Sequence, residues 1–236
     1  MYSTKKKILV PDQMEYAKAI EGLGAVTGDT ADFYSNPDKY SLVLFTGGSD
    51  VSPELYGDSS PLGVCRCNKH RDQADIKLFG HATKHGIKMA GICRGAQLLN
   101  VMGGGRLIHD LTGHNTMKEH VFRPTCEDYT YIKVNSLHHQ MMIPPPDGYV
   151  IGTSPYRLSD NYIGYNDQPV KWPGPEIEAV LIPKIKSVGV QYHPEMMDKN
   201  SAGYQFFYEM IKHFLEMDES YFVKRYTGAK EVSHVK

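Results

Sequence analysis

The chain lacks any long uninterrupted apolar segment, although 41% of its 236 residues are hydrophobic. A membrane-spanning helix needs about 20 consecutive apolar residues, and no stretch of the sequence has that character. Only ILV follows the basic KKK near the N-terminus, which is too short for the apolar core of a signal peptide. We therefore expect a cytoplasmic protein with no membrane-spanning segment.

An excess of charge of one sign is also missing. The 26 Lys and Arg residues nearly balance the 27 Asp and Glu residues, which gives a formal net charge of −1. A protein that binds nucleic acid or an anionic membrane is usually strongly basic, at least over one face. The balance favours a small-molecule or protein partner and predicts no nucleic-acid binding.

Cysteine is scarce, so a disulfide scaffold is excluded and reduced thiols are expected. The four cysteines are Cys65, Cys67, Cys93 and Cys126. Cys65, Cys67 and His70 form a C-x-C-x-x-H pattern, but a structural zinc site usually has four ligands and wider cysteine spacing. We predict no metal site and no cofactor from this pattern.

Apolar runs that alternate with amphipathic stretches indicate an α/β fold with a mostly parallel sheet. KKILVP is typical of a first strand, and the following helix has Asp12 and Glu15 in capping-box positions. YSLVLFTGG and IKMAGI indicate two further strands, with a helix between them and another after IKMAGI. With no repeat or linker in the sequence, we expect a single domain over residues 1–236.

The second half of the chain offers four more strand candidates: EDYTYIKVN, GYVIGTS, EIEAVLIP and KSVGVQYHPE. The stretch from 201 to 217 predicts a closing amphipathic helix whose apolar face packs in the core. That face contains Phe206, Phe207, Met210, Ile211 and Phe214. The segment from Ser154 to Pro175 is predicted to be a long surface loop, which acts as a substrate cover, a partner contact or a plain connector.

Cys93 lies in GICRG, the thiol form of the G-x-S-x-G pattern that presents a nucleophile on a sharp turn between strand and helix. The N-terminus of the following helix favours the thiolate. Because free cysteine is also commonly buried, this pattern alone leaves a nucleophile and a core residue both open.

Further motifs supply what a nucleophilic cysteine needs. QYHPE provides His193 as a base and Glu195 as a carboxylate to orient it. TGGSD places glycine backbone just after a strand, where a backbone N–H can donate to an oxyanion. Arg94, directly after the cysteine, can donate the second N–H through its backbone.

TGGSD, GICRGAQ and QYHPE, in this order, resemble the class I glutamine amidotransferase family. The likeness is strongest to its γ-glutamyl-γ-aminobutyrate hydrolase (peptidase C26-type) branch, and it continues through EHV, VNSLHHQ and EIEAV over residues 40–196. It implies a flavodoxin-like three-layer sandwich, with a central mostly parallel sheet flanked by helices. The likeness also implies a Cys93–His193–Glu195 triad, with Gly48 and Arg94 forming the oxyanion hole.

The same resemblance implies substrate contacts for Gly47, Gln97, His138 and His139. Gln97 is alternatively a first-turn residue that bonds to nearby backbone, and the two histidines are alternatively structural or surface groups. Arg71 and Asp72 also match the family, and we expect them to form an ion pair that supports the fold.

The activity implied is hydrolysis of the γ-amide bond of glutamine or a γ-glutamyl amide, through a γ-glutamyl thioester. The lack of a fused synthetase segment favours a free hydrolase. A glutaminase subunit that delivers ammonia to a separate synthetase is the alternative, because a Tyr- and Trp-containing loop suits a docking surface. A catalytically silent binding protein of the same fold and a homodimer also remain open, since fold alone does not prove function.

Overall fold

A computed structural model of the protein describes residues 7–11 and 14–228. Its helices are α1 (Met14–Ala19), α2 (Thr30–Ser35), α3 (Lys69–Lys84), α4 (Arg94–Met102), α5 (Ala202–Glu216) and α6 (Glu219–Thr227). The strands of the first half are β1 (Lys7–Val10), β2 (Ala25–Thr27), β3 (Tyr40–Phe45), β4 (Lys88–Ile92), β5 (Arg106–Ile108) and β6 (Asp110–Leu111). Those of the second half are β7 (His120–Pro124), β8 (Ile132–Val134), β9 (Met141–Ile143), β10 (Tyr149–Ser154), β11 (Tyr162–Ile163), β12 (Glu176–Ile182) and β13 (Ser187–Val190).

Nine of these strands form one sheet in the order β2-β1-β3-β4-β13-β12-β10-β7-β8. Neighbours from β2 to β13 pair parallel, and the remaining neighbours pair antiparallel. Within this sheet only β12 and β7 therefore run against the common direction. The predicted α/β fold with a mostly parallel central sheet is confirmed.

Helices cover both faces of the sheet. Along β3, Leu42 and Leu44 pack into one apolar cluster with the aromatic side chains of α5, while Val43 and Phe45 pack into a second cluster with α3 and α4. Side chains alternate between the two faces of a strand, so a strand that is apolar at successive positions is covered on both sides. This arrangement is the three-layer sandwich expected from the resemblance.

The predicted strands and helices that frame the sheet agree with the structure. The apolar face of α5 is buried as predicted, because its residues recur at helical spacing. Asp12, one half of the predicted capping box, lies outside the described residues. Among the described helices, none has the length and apolar character to cross a membrane.

The segment from Ser154 to Pro175 is more ordered than a plain surface loop. It contains β11, which pairs antiparallel with β6, and a 3-10 turn over Tyr165–Asp167. Asp167 is buried and accepts hydrogen bonds from the Ser60 hydroxyl and the Leu62 N–H. Contacts with distant parts of the chain hold this segment in place. It has no repeating apolar pattern of its own, so the sequence predicted only a loop.

Two glycines allow α4 to start close to the sheet. A Cβ at Gly91 would lie 2.4 Å from the backbone N of Ala96, and one at Gly95 would lie 2.2 Å from the Phe45 carbonyl oxygen. Real Cβ atoms do not approach backbone so closely, so a larger residue at either position would push α4 off the sheet. These contacts fix the sharp turn that contains Cys93.

Candidate active site

Cys93 occupies the turn between β4 and α4, with φ of 51° and ψ of −112°. A positive φ is costly for a residue with a Cβ and is found where surrounding structure enforces it, often at functional sites. The Cys93 N–H donates to the Val190 carbonyl, and its carbonyl accepts from the Gln97 N–H. The residue is 6% exposed and directly precedes α4, whose N-terminus carries a partial positive charge.

His193 and Glu195 follow β13, the neighbour of β4 in the sheet. The Nδ1 atom of His193 lies 2.6 Å from Glu195 Oε1, so the carboxylate holds one ring nitrogen. Nε2 has no well-aligned hydrogen-bond partner among the described groups. The ring is thus oriented by Glu195 and leaves its second nitrogen available.

The thiol and the imidazole interact. Burial lowers the pKa of His193, but hydrogen bonding to Cys93 and Glu195 and the charges of both outweigh it and raise the pKa to about 10. These interactions favour the imidazolium form of His193.

Asn135 fixes the backbone of His193, a role that our sequence analysis did not assign. Its side-chain oxygen accepts from the His193 N–H and its amide nitrogen donates to the His193 carbonyl, each at 2.8 Å. Asn135 belongs to VNSLHHQ, in which the sequence drew attention to the histidines. The paired bonds hold the imidazole segment against the loop after β8.

Tyr16 is a second residue that the sequence analysis missed. A Cβ at Gly47 would lie 2.5 Å from the Tyr16 hydroxyl and 3.1 Å from His193 Cε1, so Gly47 lies between the phenol and the imidazole. Burial, together with the charges of Glu195 and Cys93, raises the pKa of Tyr16 above its usual value. The neutral phenol closes this side of the site.

The two predicted oxyanion donors lie near each other. Gly48 has φ of +152°, and a Cβ there would lie 3.4 Å from Cδ of Arg94. Arg94 begins α4, where the first N–H groups have no partner within the helix. The structure thus places Gly48 beside Arg94 at the start of α4, and their role as oxyanion donors stays a prediction.

The side chain of Arg94 forms ion pairs with α3. It is 1% exposed and forms ion pairs with Asp72, at 2.6 Å from Nη2, and with Asp75 through Nη1. Arg71 contacts Asp75 at 2.8 Å and donates to the Thr46 hydroxyl. The expected Arg71–Asp72 pair is therefore replaced by a network that joins α3 to α4, because Asp72 is turned toward the buried guanidinium.

Gln97 is buried one turn after Cys93. Its Nε2 atom donates to the Gln140 carbonyl over 3.4 Å, which agrees with the structural alternative of a bond to nearby backbone. A substrate role for Gln97 stays a prediction.

The two adjacent histidines differ in surroundings. His138 is 3% exposed, and its Nδ1 donates to the Gln140 carbonyl at 2.9 Å. His139 has a 29% exposed side chain and lies between Asp110, 3.0 Å from Nδ1, and Asp50, 2.9 Å from Nε2. Hydrogen bonding to Asp50 raises the pKa of His139 against the effect of burial. Of the two, His139 is the one accessible to a substrate.

Metal-ligating side chains come together in two groups among the described residues. Cys65 joins His109 and Asp167 rather than Cys67 and His70, and the second group consists of His114, His138 and Glu178. In the first group burial raises the pKa of Cys65 to about 12, and both ring nitrogens of His109 already face carboxylates. Neither group was foreseen, since each is assembled from distant parts of the chain.

The chain is similar to known proteins of the peptidase C26 and glutamine amidotransferase-like kinds. The Peptidase C26 family model matches residues 25–130, a range that includes the TGGSD and GICRGAQ segments. Protein NtpR of Enterococcus hirae is 28% identical over 183 residues, which is 70% of this chain and 71% of that protein. The glutamine amidotransferase-like protein YvdE of Lactococcus lactis is 27% identical over 154 residues, 65% of each chain.

A solved structure shares the fold over nearly its whole length. It is a Thermoplasma acidophilum protein assigned to a GMP synthase, with a TM-score of 0.60 and 16% identity over 93% of this chain and 97% of that one. At this identity the likeness shows the fold alone. The family model and the relatives support the class I glutamine amidotransferase-like family for this chain.

Proposed function

We propose that the protein hydrolyses the γ-amide bond of glutamine or a γ-glutamyl amide through a thioester on Cys93. The observation that carries this proposal is the strained Cys93 backbone beside an imidazole whose other nitrogen lies 2.6 Å from Glu195. A thiol presented in this way, with a base and an orienting carboxylate, is the arrangement of a covalent acyl-transfer site.

In the first step, the Cys93 thiolate attacks the γ-carbonyl carbon, and the carbonyl electrons move onto oxygen. The backbone N–H groups of Gly48 and Arg94 stabilise that oxyanion. As the oxyanion collapses, the C–N bond breaks, and the imidazolium of His193 gives its Nε2 proton to the departing nitrogen. Ammonia or an amine leaves, and the γ-glutamyl group stays on sulfur.

In the second step, neutral His193 takes a proton from water as the water oxygen attacks the thioester carbon. The tetrahedral intermediate collapses, the C–S bond breaks, and glutamate leaves with the thiolate restored. Glu195 stabilises the imidazolium in both steps without transferring a proton itself. His139, held between two carboxylates, is suited to bind a polar part of the substrate.

Glutamate release from glutamine and from a panel of γ-glutamyl amides tests this proposal. We expect wild-type turnover and none by Cys93→Ser. Cys126→Ser is the matched control, because Cys126 is also a buried free thiol but follows β7 and does not occupy the turn between β4 and α4, and it should keep the activity. Intact-mass detection of a γ-glutamyl adduct on wild type would identify the thioester, and equal activity of Cys93→Ser would rule out the mechanism.

A second candidate is a glutaminase that passes ammonia to a separate synthetase partner. Tyr156, Tyr165 and Trp172 are 63%, 56% and 52% exposed on the Ser154–Pro175 segment, and exposed aromatics are favoured at interfaces. The Thermoplasma neighbour, which is assigned to a synthase, supports this candidate too. Basal glutamate release separates the two: a free hydrolase is active alone, whereas a partnered glutaminase is slow until its synthetase is added.

A further inference from the structure

The antiparallel side of the sheet carries a buried cluster of imidazoles and carboxylates that the thioester mechanism does not use. Its members are His114, His120, His138, Glu176 and Glu178. His114 and Glu178 are 0% exposed, and Glu176 is 1% exposed. Burial of several ionisable groups is costly unless each is paired or binds an ion.

Three ring nitrogens surround a single oxygen of Glu178. Oε1 lies 3.2 Å from His114 Nδ1, 3.1 Å from His120 Nε2 and 3.6 Å from His138 Nε2. The ligand atoms of His114, His138 and Glu178 all lie within 4.8 Å of one another. Three residues from three separate parts of the chain thus converge on one point.

The opposite nitrogens of two of these rings each face a hydrogen-bond acceptor. His138 Nδ1 lies 2.9 Å from the Gln140 carbonyl, which can only accept, so Nδ1 carries the proton and Nε2 presents a lone pair. His114 Nε2 lies 3.0 Å from Glu176 Oε2. Metal-bound histidines are typically oriented by such a carbonyl or carboxylate on the second nitrogen.

Two of the inward-facing atoms lack a hydrogen-bond partner among the described groups, whereas His114 Nδ1 also lies 3.2 Å from the Ser136 hydroxyl. His138 Nε2 and Glu178 Oε2 are buried and accept no hydrogen bond there. A lone pair and a carboxylate that face each other in the interior repel unless a proton or a cation lies between them.

We propose that His114 Nδ1, His138 Nε2 and Glu178 bind a divalent metal ion of the zinc class. Two ligand atoms about 2.0–2.1 Å from a tetrahedral zinc ion are about 3.3 Å apart, close to the 3.2 and 3.6 Å separations from Glu178 Oε1. Imidazole and carboxylate ligands together suit zinc rather than magnesium or calcium, which prefer oxygen.

His120 is suited to provide the fourth ligand. Its Nε2 already lies 3.1 Å from the shared Glu178 oxygen, although it is not one of the three mutually close ligand groups. A small rotation of its ring would close a four-ligand site, which is the usual form of a structural zinc site. The ion would then tie β7, β12 and the loop of His138 together beside the active site.

Metal content of the full chain tests this proposal. Because the cluster is buried, the protein is unfolded with chelator, freed of metal and refolded with or without Zn²⁺. After desalting, we expect elemental analysis to find one zinc per chain in the protein that was refolded with Zn²⁺. Co²⁺ in place of zinc should give the visible spectrum of a tetrahedral site. Refolded wild type that retains no zinc or cobalt would overturn the proposal, whatever the variants do.

Matched variants locate the ion. His138→Gln and Glu178→Gln should each lose zinc binding, and Glu176→Gln should lower the affinity by about 10- to 100-fold because it only orients His114. Far-UV circular dichroism checks that each variant is folded. Cys65→Ser, in the other metal-like group, should keep one zinc per chain. If Cys65→Ser loses zinc and His138→Gln retains it, the ion is bound by the group that contains Cys65, and the proposal is refuted.

Discussion

Two histidines near the proposed site are each held by carboxylates, yet only one is arranged to transfer protons. His139 has Asp110 on Nδ1 and Asp50 on Nε2, so both ring nitrogens are used. His193 has Glu195 on Nδ1 and no aligned partner on Nε2 among the described groups, and the Cys93 sulfur interacts with its ring. A histidine–carboxylate pair is therefore not enough: the second nitrogen must be free and must face a nucleophile.

The largest effect expected from this difference comes from removing each imidazole in turn. His193→Gln should lower kcat by about 10⁶-fold, as loss of the general base does in a triad hydrolase. His139→Gln should raise KM and change kcat by less than about tenfold, since it removes binding and not proton transfer. Steady-state kinetics of the two variants measure this, and equal losses of kcat would contradict the distinction.

Removing the orienting carboxylate should have the next largest effect. Glu195→Gln leaves the imidazole in place but without the charge that fixes it, and we expect a loss of about 10⁴-fold in kcat. The matched control is Asp110→Asn, which weakens one partner of His139 and should leave kcat nearly unchanged. A loss for Glu195→Gln no larger than that of the control would mean that Glu195 does not orient the base.

Asn135→Ala should have a moderate effect on the same histidine. It removes two bonds to the His193 backbone, worth about 1 kcal/mol each, so we expect the free energy of unfolding in urea to fall by about 2 kcal/mol and kcat to fall about tenfold. Asn135→Asp keeps the acceptor for the His193 N–H, so its kcat should lie between those of wild type and Asn135→Ala. A large loss of stability with unchanged kcat would make Asn135 a folding residue only.

The smallest predicted effect is a shift in the pH dependence of kcat/KM. The imidazolium must protonate the departing amine, and the pKa of His193 is raised to about 10, so activity should fall only as pH rises through that value. Glu195→Gln removes a charge that favours the imidazolium, and its alkaline limb should move to lower pH. Asp110→Asn should leave the alkaline limb at the wild-type pH. If wild type, Glu195→Gln and Asp110→Asn all show the same alkaline limb, that limb reports the titration of a group other than His193.

The elements nearest Cys93 were predictable from the sequence because their signals are local. The apolar runs of β3 and β4 end in glycine or cysteine, and GICRGAQ specifies a strand, a turn and a helix in seven residues. Short strands such as β7 and β11 were not predicted, since pairing with distant partners rather than a repeating pattern defines them. Asn135 and Tyr16 were missed for the same reason: each contacts the site from another segment.

By itself, the sequence determined the α/β class, the turn that contains Cys93 and the residue types of a thiol, a base and a carboxylate. These depend on apolar spacing and on small residues beside a nucleophile, which are local properties. Tertiary structure alone decided which histidine keeps a free nitrogen, that Arg94 pairs with Asp72 and Asp75, and that three distant residues converge on Glu178. Such outcomes depend on distances between residues far apart in the chain, which are set only when strands and helices pack.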